Sequence, residues 1–263
     1  MTNIQLEGNT AGITFSNIEG VFLNNLRWYA SNAGIYETFV GDFNLITIET
    51  GLMEVVGATV GIDVTGLTSI TQDAILQGVV FSGGGNYING TSSYVGYSFT
   101  NDWTVNSPGI SQESDDVSTG NFYYNGSLTS GFAQSISNNT AAKVDGGAGT
   151  TTANSLFRFS APSTNNLTYL GKKTRNFQIN ASISIRVTGA AGNFYAFIIA
   201  KNGTVITESN AVVRIDSDSE IQNVAINATV SLETNDFIEI YVQRLTGSGT
   251  DTLVIFSENL SIN

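Results

Sequence analysis

The chain contains neither cysteine nor histidine. Without cysteine there is no disulfide, no thiolate nucleophile and no iron–sulfur cluster. Without histidine there is no Ser-His-Asp triad and none of the common imidazole-ligated zinc sites. Two prolines in 263 residues leave the loops to be turned by Gly and Asn. Charged residues are 12% of the chain, about half the usual ~25%. Ten bases against 22 acids give a net charge of −12, which argues against a nucleic-acid partner because a phosphate backbone needs a Lys/Arg footprint. No apolar run reaches the ~18 residues of a membrane span, so membrane insertion is not expected. Met1-Thr2-Asn3 lacks the basic and apolar regions of a secretory signal. The expectation is a protein made in a cytoplasm that leaves, if at all, inside a released particle. Catalysis would have to rest on Asp, Glu, Lys, Arg, Tyr, Ser or Thr.

What fills the chain instead is 28 Gly and 28 Asn with many Ser and Thr, a surface solvated by amides and hydroxyls. Charge divides it. Residues 1–108 hold one base, Arg27, against nine acids; the remainder holds nine bases and thirteen acids. Pro108-Gly109 and the polar stretch Ser111 to Asp116 mark the change, so residues 1–107 read as one part, 108–120 as a linker and 121–263 as a second part.

The first part consists of short β-branched or aromatic runs ended by Gly, Asn or Asp, such as Ile13-Thr14-Phe15, Asn44-Leu45-Ile46-Thr47-Ile48 and Val79-Val80-Phe81. Strand runs recur without a strict period, which suits a parallel β-helix; an antiparallel sandwich of the same ingredients is the alternative. In the second part, Phe177 to Val187 alternates apolar and polar without a fault, a strand with one wet face. Phe194 to Lys201 is apolar on both faces, and Asn202-Gly203 is a strong hairpin signal. Val224 to Val230, Phe237 to Val242 and Thr252 to Phe256 extend the set to an antiparallel sandwich or jelly roll. The fold class is thus all-β: a β-helix-like or β-rich segment followed by a jelly roll.

Within residues 155–263 the order Leu167-Thr168-Tyr169, the alternating strand from Phe177, Ala200-Lys201-Asn202-Gly203 and Leu232-Glu233-Thr234-Asn235-Asp236-Phe237-Ile238-Glu239 resembles the knob domains of bacteriophage fibre and virion proteins. These are similar to the complement-component and tumour-necrosis-factor jelly rolls. The resemblance implies a ten-strand jelly roll that associates as a trimer about a three-fold axis. The N-terminal part resembles β-helical segments of phage fibres and tailspikes, without a diagnostic motif.

Several residues invite chemistry. Glycoside hydrolysis needs two carboxylates about 5–10 Å apart. Asp63 with Asp73, or Glu49 with Glu54, could meet on adjacent coils, but nine acids in this part also make such pairs by chance. Asp216-Ser217-Asp218-Ser219-Glu220 offers alternating oxygens to calcium, yet lacks the Gly and distal Glu of an EF-hand loop and reads better as a solvated loop. The basic cluster Lys172, Lys173 and Arg175 is the candidate glycan or receptor contact. The aromatics Tyr94, Tyr97, Phe99, Trp103, Phe122, Tyr123 and Tyr124 either pack locally or form a sugar platform. Tyr195, Phe197 and Tyr241 are taken as outward residues in excess of core needs, hence the candidate trimer interface. Gly83-Gly84-Gly85 lacks the Lys of a phosphate loop, and Asp145 to Gly149 reads as a loop.

These readings describe a non-enzymatic virion fibre or spike without cofactor or metal. It would be a homotrimer that contacts other virion proteins through its N-terminal part and a host-surface glycan or receptor through its knob. The alternatives are a purely structural capsid or neck protein and a short β-helical polysaccharide-cleaving enzyme. The division of charge assigns adhesion to the knob, because nine carboxylates beside one arginine repel anionic glycans.

Overall fold

Asn3, Asn25, Thr50 and Gly78 all adopt left-handed φ, of 57°, 55°, 55° and 69°. Asn and Gly are the residues that visit this region readily. In the computed structural model, which describes every residue except 148, 190 and 191, these four stand one above another, because the flanking pairs Thr2–Asn24, Asn24–Glu49 and Glu49–Gln77 are in parallel register. The Asn25 amide nitrogen donates to Asn3 Oδ1 at 2.8 Å, so the turn is also a side-chain ladder.

This column is one corner of a parallel β-solenoid. Its strands are β1 (Thr2–Leu6), β2 (Ile13–Ser16), β3 (Gly20–Trp28), β4 (Ile35–Glu54), β5 (Val60–Ser82), β6 (Asn86–Asn89) and β7 (Trp103–Asn106). They pair in the order β1-β3-β4-β5-β6, with β2 beside β4 and β7 beside β5, all parallel. Thr2, Asn24, Glu49, Gln77 and Asn106 are successive register partners, steps of 22, 25, 28 and 29 residues. The coil lengthens as the chain proceeds, which is why no strict period is visible in the sequence. The interior is built from vertical columns, Val21–Ile46–Ala74–Trp103 and Leu23–Ile48–Leu76–Val105, all buried. Phe15 stacks on Phe39 at 5.1 Å, and Trp28 on Tyr36 at 5.0 Å.

Of the stretch expected to be a linker, residues 108–117 are instead built into this unit, and Ser118 to Gly120 lead into the next. Val105 and Glu113 exchange backbone hydrogen bonds, and the buried Glu113 carboxylate accepts from the N–H groups of Ser98 and Phe99 at 2.7 and 2.9 Å. The chain divides into two compact units, 1–117 and 118–263. A sequence dense in Ser, Asp and Gly reads as a hinge, but its polar groups here satisfy backbone donors.

The second unit contains β8 (Thr119–Asn125), β9 (Phe132–Ser137), β10 (Ala141–Lys143), β11 (Thr152–Phe157), β12 (Phe159–Ser160), β13 (Leu167–Tyr169), β14 (Arg175–Thr188), β15 (Asn193–Lys201), β16 (Thr204–Val205), β17 (Ala211–Ile215), β18 (Gln222–Leu232), β19 (Phe237–Arg244) and β20 (Thr250–Ile262). One antiparallel sheet runs β11-β8-β20-β14-β18, with β9 beside β20. The other runs β12-β13-β19-β15-β16, with β10 beside β19 and β17 beside β15. This is a jelly roll. Its first strand pairs with its last, Gly120 with Ile262. Phe177, Ile179, Ile183 and Ile185 from one sheet meet Tyr195, Phe197, Ile199, Ile238 and Ile240 from the other. Asn202 and Gly203 turn the β15–β16 hairpin with φ of 53° and 75°, as two-residue hairpins of this kind require.

Candidate assembly face and the buried polar groups

Alternation in β14 sends Phe177, Ile179, Ile183 and Ile185 inward, and Gln178, Asn180, Ser182 and Ser184 outward. Strand register extends this outward set across the whole sheet. Asn227, Asn180, Ser261, Asn121 and Asn154 form one row over β18, β14, β20, β8 and β11. Ala225, Ser182, Asn259, Tyr123 and Thr152 form the next. Asn223, Ser184, Ser257 and Asn125 form a third, with Thr229 beside Gln178 on the far side. These rows carry no charge, and Tyr123 is their one large side chain. Gln178 donates to Thr229 Oγ1 at 2.8 Å and Ser184 to Asn223 Oδ1 at 2.6 Å. A depression of about 560 Å³ is lined by Asn121, Asn154, Asn180, Ser261 and Asn263. One row further on lies Arg186, its guanidinium 5.5 Å from the Phe256 ring centroid. Amides present donors and acceptors together, so a surface of this kind can hydrogen-bond a copy of itself.

Tyr195 and Phe197 do not lie outward. Both are fully buried between the sheets, and the Tyr195 hydroxyl donates to Asp251 Oδ2 at 2.6 Å. A strand apolar on both sides suggests a surplus face, but Ala196, Ile198 and Ala200 on the other side are buried too. Tyr241 is half-buried and sits opposite Lys143. Its phenol is pushed up by burial and then by the neighbouring Glu239 charge. Lys172 and Lys173 are exposed in the β13–β14 connection, where Tyr169 donates to the Lys173 carbonyl at 2.8 Å. Arg175 lies over the Phe177 ring at 4.5 Å.

One member of each suspected carboxylate pair accepts hydrogen bonds from its surroundings. Burial works against ionisation of Asp63, but hydrogen bonds from Thr65 and Asn89 outweigh it and hold the carboxyl below its usual range. Such a group is an acceptor and not a proton donor. Glu54 accepts from the Ala30 N–H. Asp216 pairs with Arg214 at 2.9 Å, and Ser217 with Ser219. Of the aromatics, Phe99, Trp103 and Phe122 are core, with Phe99 and Trp103 centroids 4.5 Å apart. In the Asp145–Gly149 loop, Asp145 accepts from the Gly147 N–H; Ala148 lies outside the described residues.

Two buried acids went unnoticed in the sequence. Glu37 occupies the interior column Ile13–Glu37–Ile62–Ile88. Trp28 Nε1 donates to its Oε1 at 3.0 Å, while Oε2 has no partner among the described residues. Burial raises this carboxyl to about 7. Glu258 points between the sheets beside Ile183, and burial raises it to about 8 against the opposing influence of Asn165 and Lys143. Neither strand pattern marks these positions, because an acid within an alternating strand reads as solvent-facing.

No family model matches the chain, and no curated protein sequence matches it. Similar solved structures include Eiger TNF from S. frugiperda (10% identity, 55% of this chain, 91% of that one, TM-score 0.36). Others are the PRD1 vertex protein P5 (15%, 55% and 94%, TM-score 0.35) and murine APRIL (9%, 52% and 98%, TM-score 0.32).

Proposed function

We propose that the chain is a non-enzymatic structural component of a virion, in which a solenoid shaft carries a jelly-roll head that self-associates as a homotrimer. The observation that carries this reading is the charge-free amide and hydroxyl face of the β11-β8-β20-β14-β18 sheet. About a three-fold axis the side chains nearest the axis meet their own copies, so a charge there meets like charge. In a chain of net charge −12, these uncharged rows are compatible with such packing, and their amides can donate and accept at once. Tyr195 and Phe197, being core, take no part in this packing. Host contact falls to exposed loops, Lys172 and Lys173 among them, where weak contacts in three copies add through avidity. The solenoid contacts other virion proteins.

The test is to place charge on the face. Ser182→Glu and Asn180→Asp should each convert the assembly to folded monomer by light scattering, while Ser219→Glu, in an exposed loop, leaves it intact. Retained assembly in both face variants contradicts the proposal. Tyr123, the one large side chain in these rows, favours a second reading in which the face binds neutral oligosaccharide. A wild-type monomer that retains such a sugar would support it.

A further inference from the structure

β10 and β13 are strands of three residues each, and both lie along the same edge of β19. β10 pairs with Tyr241 to Gln243, and β13 with Phe237 and Ile238. Glu239 stands at the joint between them. Lys143, the last residue of β10, and Asn166, immediately before β13, converge on it. Lys143 Nζ is 2.8 Å from Glu239 Oε1, and Asn166 Nδ2 donates to the same oxygen at 3.5 Å. The other end of the Asn166 amide is engaged too, because Thr168 Oγ1 donates to Asn166 Oδ1 at 2.9 Å. Glu239 and Asn166 are buried, and the Lys143 side chain is one-fifth exposed.

Each group is placed for an acyl transfer between side chains. The amine is the nucleophile, the carboxylate that binds it is the base, and the amide carbonyl is polarised by a hydroxyl donor on its oxygen. Holding amine and amide on one carboxylate replaces a bimolecular encounter with a positioned one. An open groove of about 460 Å³, lined by Lys143, Asp145, Thr151, Pro162 and Thr164, connects the lysine to solvent.

We propose that Lys143 and Asn166 form an intramolecular isopeptide bond, with Glu239 as proton carrier and Thr168 as donor to the carbonyl oxygen. The Lys143 ammonium gives a proton to Glu239. Nζ then attacks Asn166 Cγ, and the charge gathering on Oδ1 is held by the Thr168 hydroxyl. Glu239 returns its proton to Nδ2. The Cγ–Nδ2 bond breaks, and the nitrogen departs as ammonia, which leaves with the remaining lysine proton as ammonium. One C–N bond forms and one breaks, with no oxidant or reductant. The product welds two short strands that pair along one edge of β19. This inference is independent of the assembly reading.

Mass spectrometry of the purified full chain decides it. The intact mass should lie about 17 Da below that of the sequence, the loss of one ammonia. Trypsin should fail to cleave after Lys143, and the fragment ending at Arg158 should be recovered joined to Phe159–Lys172, with fragmentation placing the link at Lys143 and Asn166. A succinimide at an Asn-Gly pair loses the same mass but joins no peptides and opens in mild base. Asn166→Ala and Lys143→Arg should restore the sequence mass with an unchanged β-type spectrum, and Glu239→Gln should do the same. An unmodified wild-type mass with separate tryptic peptides overturns the proposal. So does a link from Lys143 to Glu239, recognised by loss of water. A folded Glu239→Gln chain that still carries the bond removes Glu239 from the mechanism.

Discussion

The solenoid and the jelly roll are both β-structures of similar size, yet they differ in how charge and sequence distance are used. Residues 1–117 hold one base against twelve acids, a net −11, and residues 118–263 hold nine against ten, a net −1. The solenoid joins residues 22 to 29 apart, whereas the jelly roll closes by pairing Gly120 with Ile262. A stack of coils tolerates surface acids because each coil is held mainly by its neighbours. A sandwich closed by distant strands depends on interior groups that must all be in place at once. The two units should therefore answer differently to changes in their buried polar groups.

The largest difference should come from Asp251. Arg244 Nε lies 2.9 Å from Asp251 Oδ2, with both side chains only 4% exposed, and the Tyr195 hydroxyl binds the same oxygen. Asp251→Ala leaves the guanidinium buried and uncompensated, at a cost of about 3–5 kcal/mol. Calorimetry should show the jelly-roll transition lowered and the solenoid transition unmoved. A shift of both together would mean that the units melt as one.

pH should then separate them by way of Glu37. Its carboxyl rises from 4.5 to about 7 on folding, so the unfolded chain releases this proton first. The stability associated with the neutral acid is complete below pH 4.5 and is lost as pH rises through 7, amounting to roughly 3 kcal/mol. Glu258, raised to about 8, gives the jelly roll the same sign of dependence over a window extending further upward. Denaturant titrations at pH 5, 7 and 9 should show both units weakening from pH 5 to 7, and further weakening above pH 7 chiefly in the jelly roll. Glu37→Gln should flatten the solenoid's pH profile, and an unchanged profile would remove Glu37 as the cause.

The smallest effect concerns the ladder corner. Thr50 is a β-branched residue at φ 55° in a column otherwise made of Asn and Gly. Such a residue in the left-handed region carries about 1–2 kcal/mol of strain. Thr50→Asn should raise solenoid stability by about 1 kcal/mol in urea titrations, and a loss would show that the Thr50 hydroxyl bond to the Glu49 carbonyl matters more.

Much of the fold was legible in residues whose signals are local. The alternation of Phe177 to Val187 fixed which face of β14 is wet, and Asn202-Gly203 marked a hairpin. The Asn and Gly turns of the solenoid were readable as turns, but their alignment at Asn3, Asn25, Thr50 and Gly78 was hidden by coils that lengthen along the chain. Tyr195 and Phe197 were misplaced because an apolar strand does not reveal that both its faces are covered. The Lys143, Asn166 and Glu239 cluster left no trace in the sequence, since its members come from three distant segments joined only by strand register along β19. The amide face was visible strand by strand, as Asn and Ser at alternate positions, but its continuity over five strands depends on pairing that no single segment shows.

Sedimentation equilibrium of the wild-type chain over the micromolar range shows whether these uncharged rows join copies of the protein. The particle should have three times the 27.9 kDa chain mass, little changed by salt because the joined rows carry no charge. A species of one chain mass at all concentrations would contradict it.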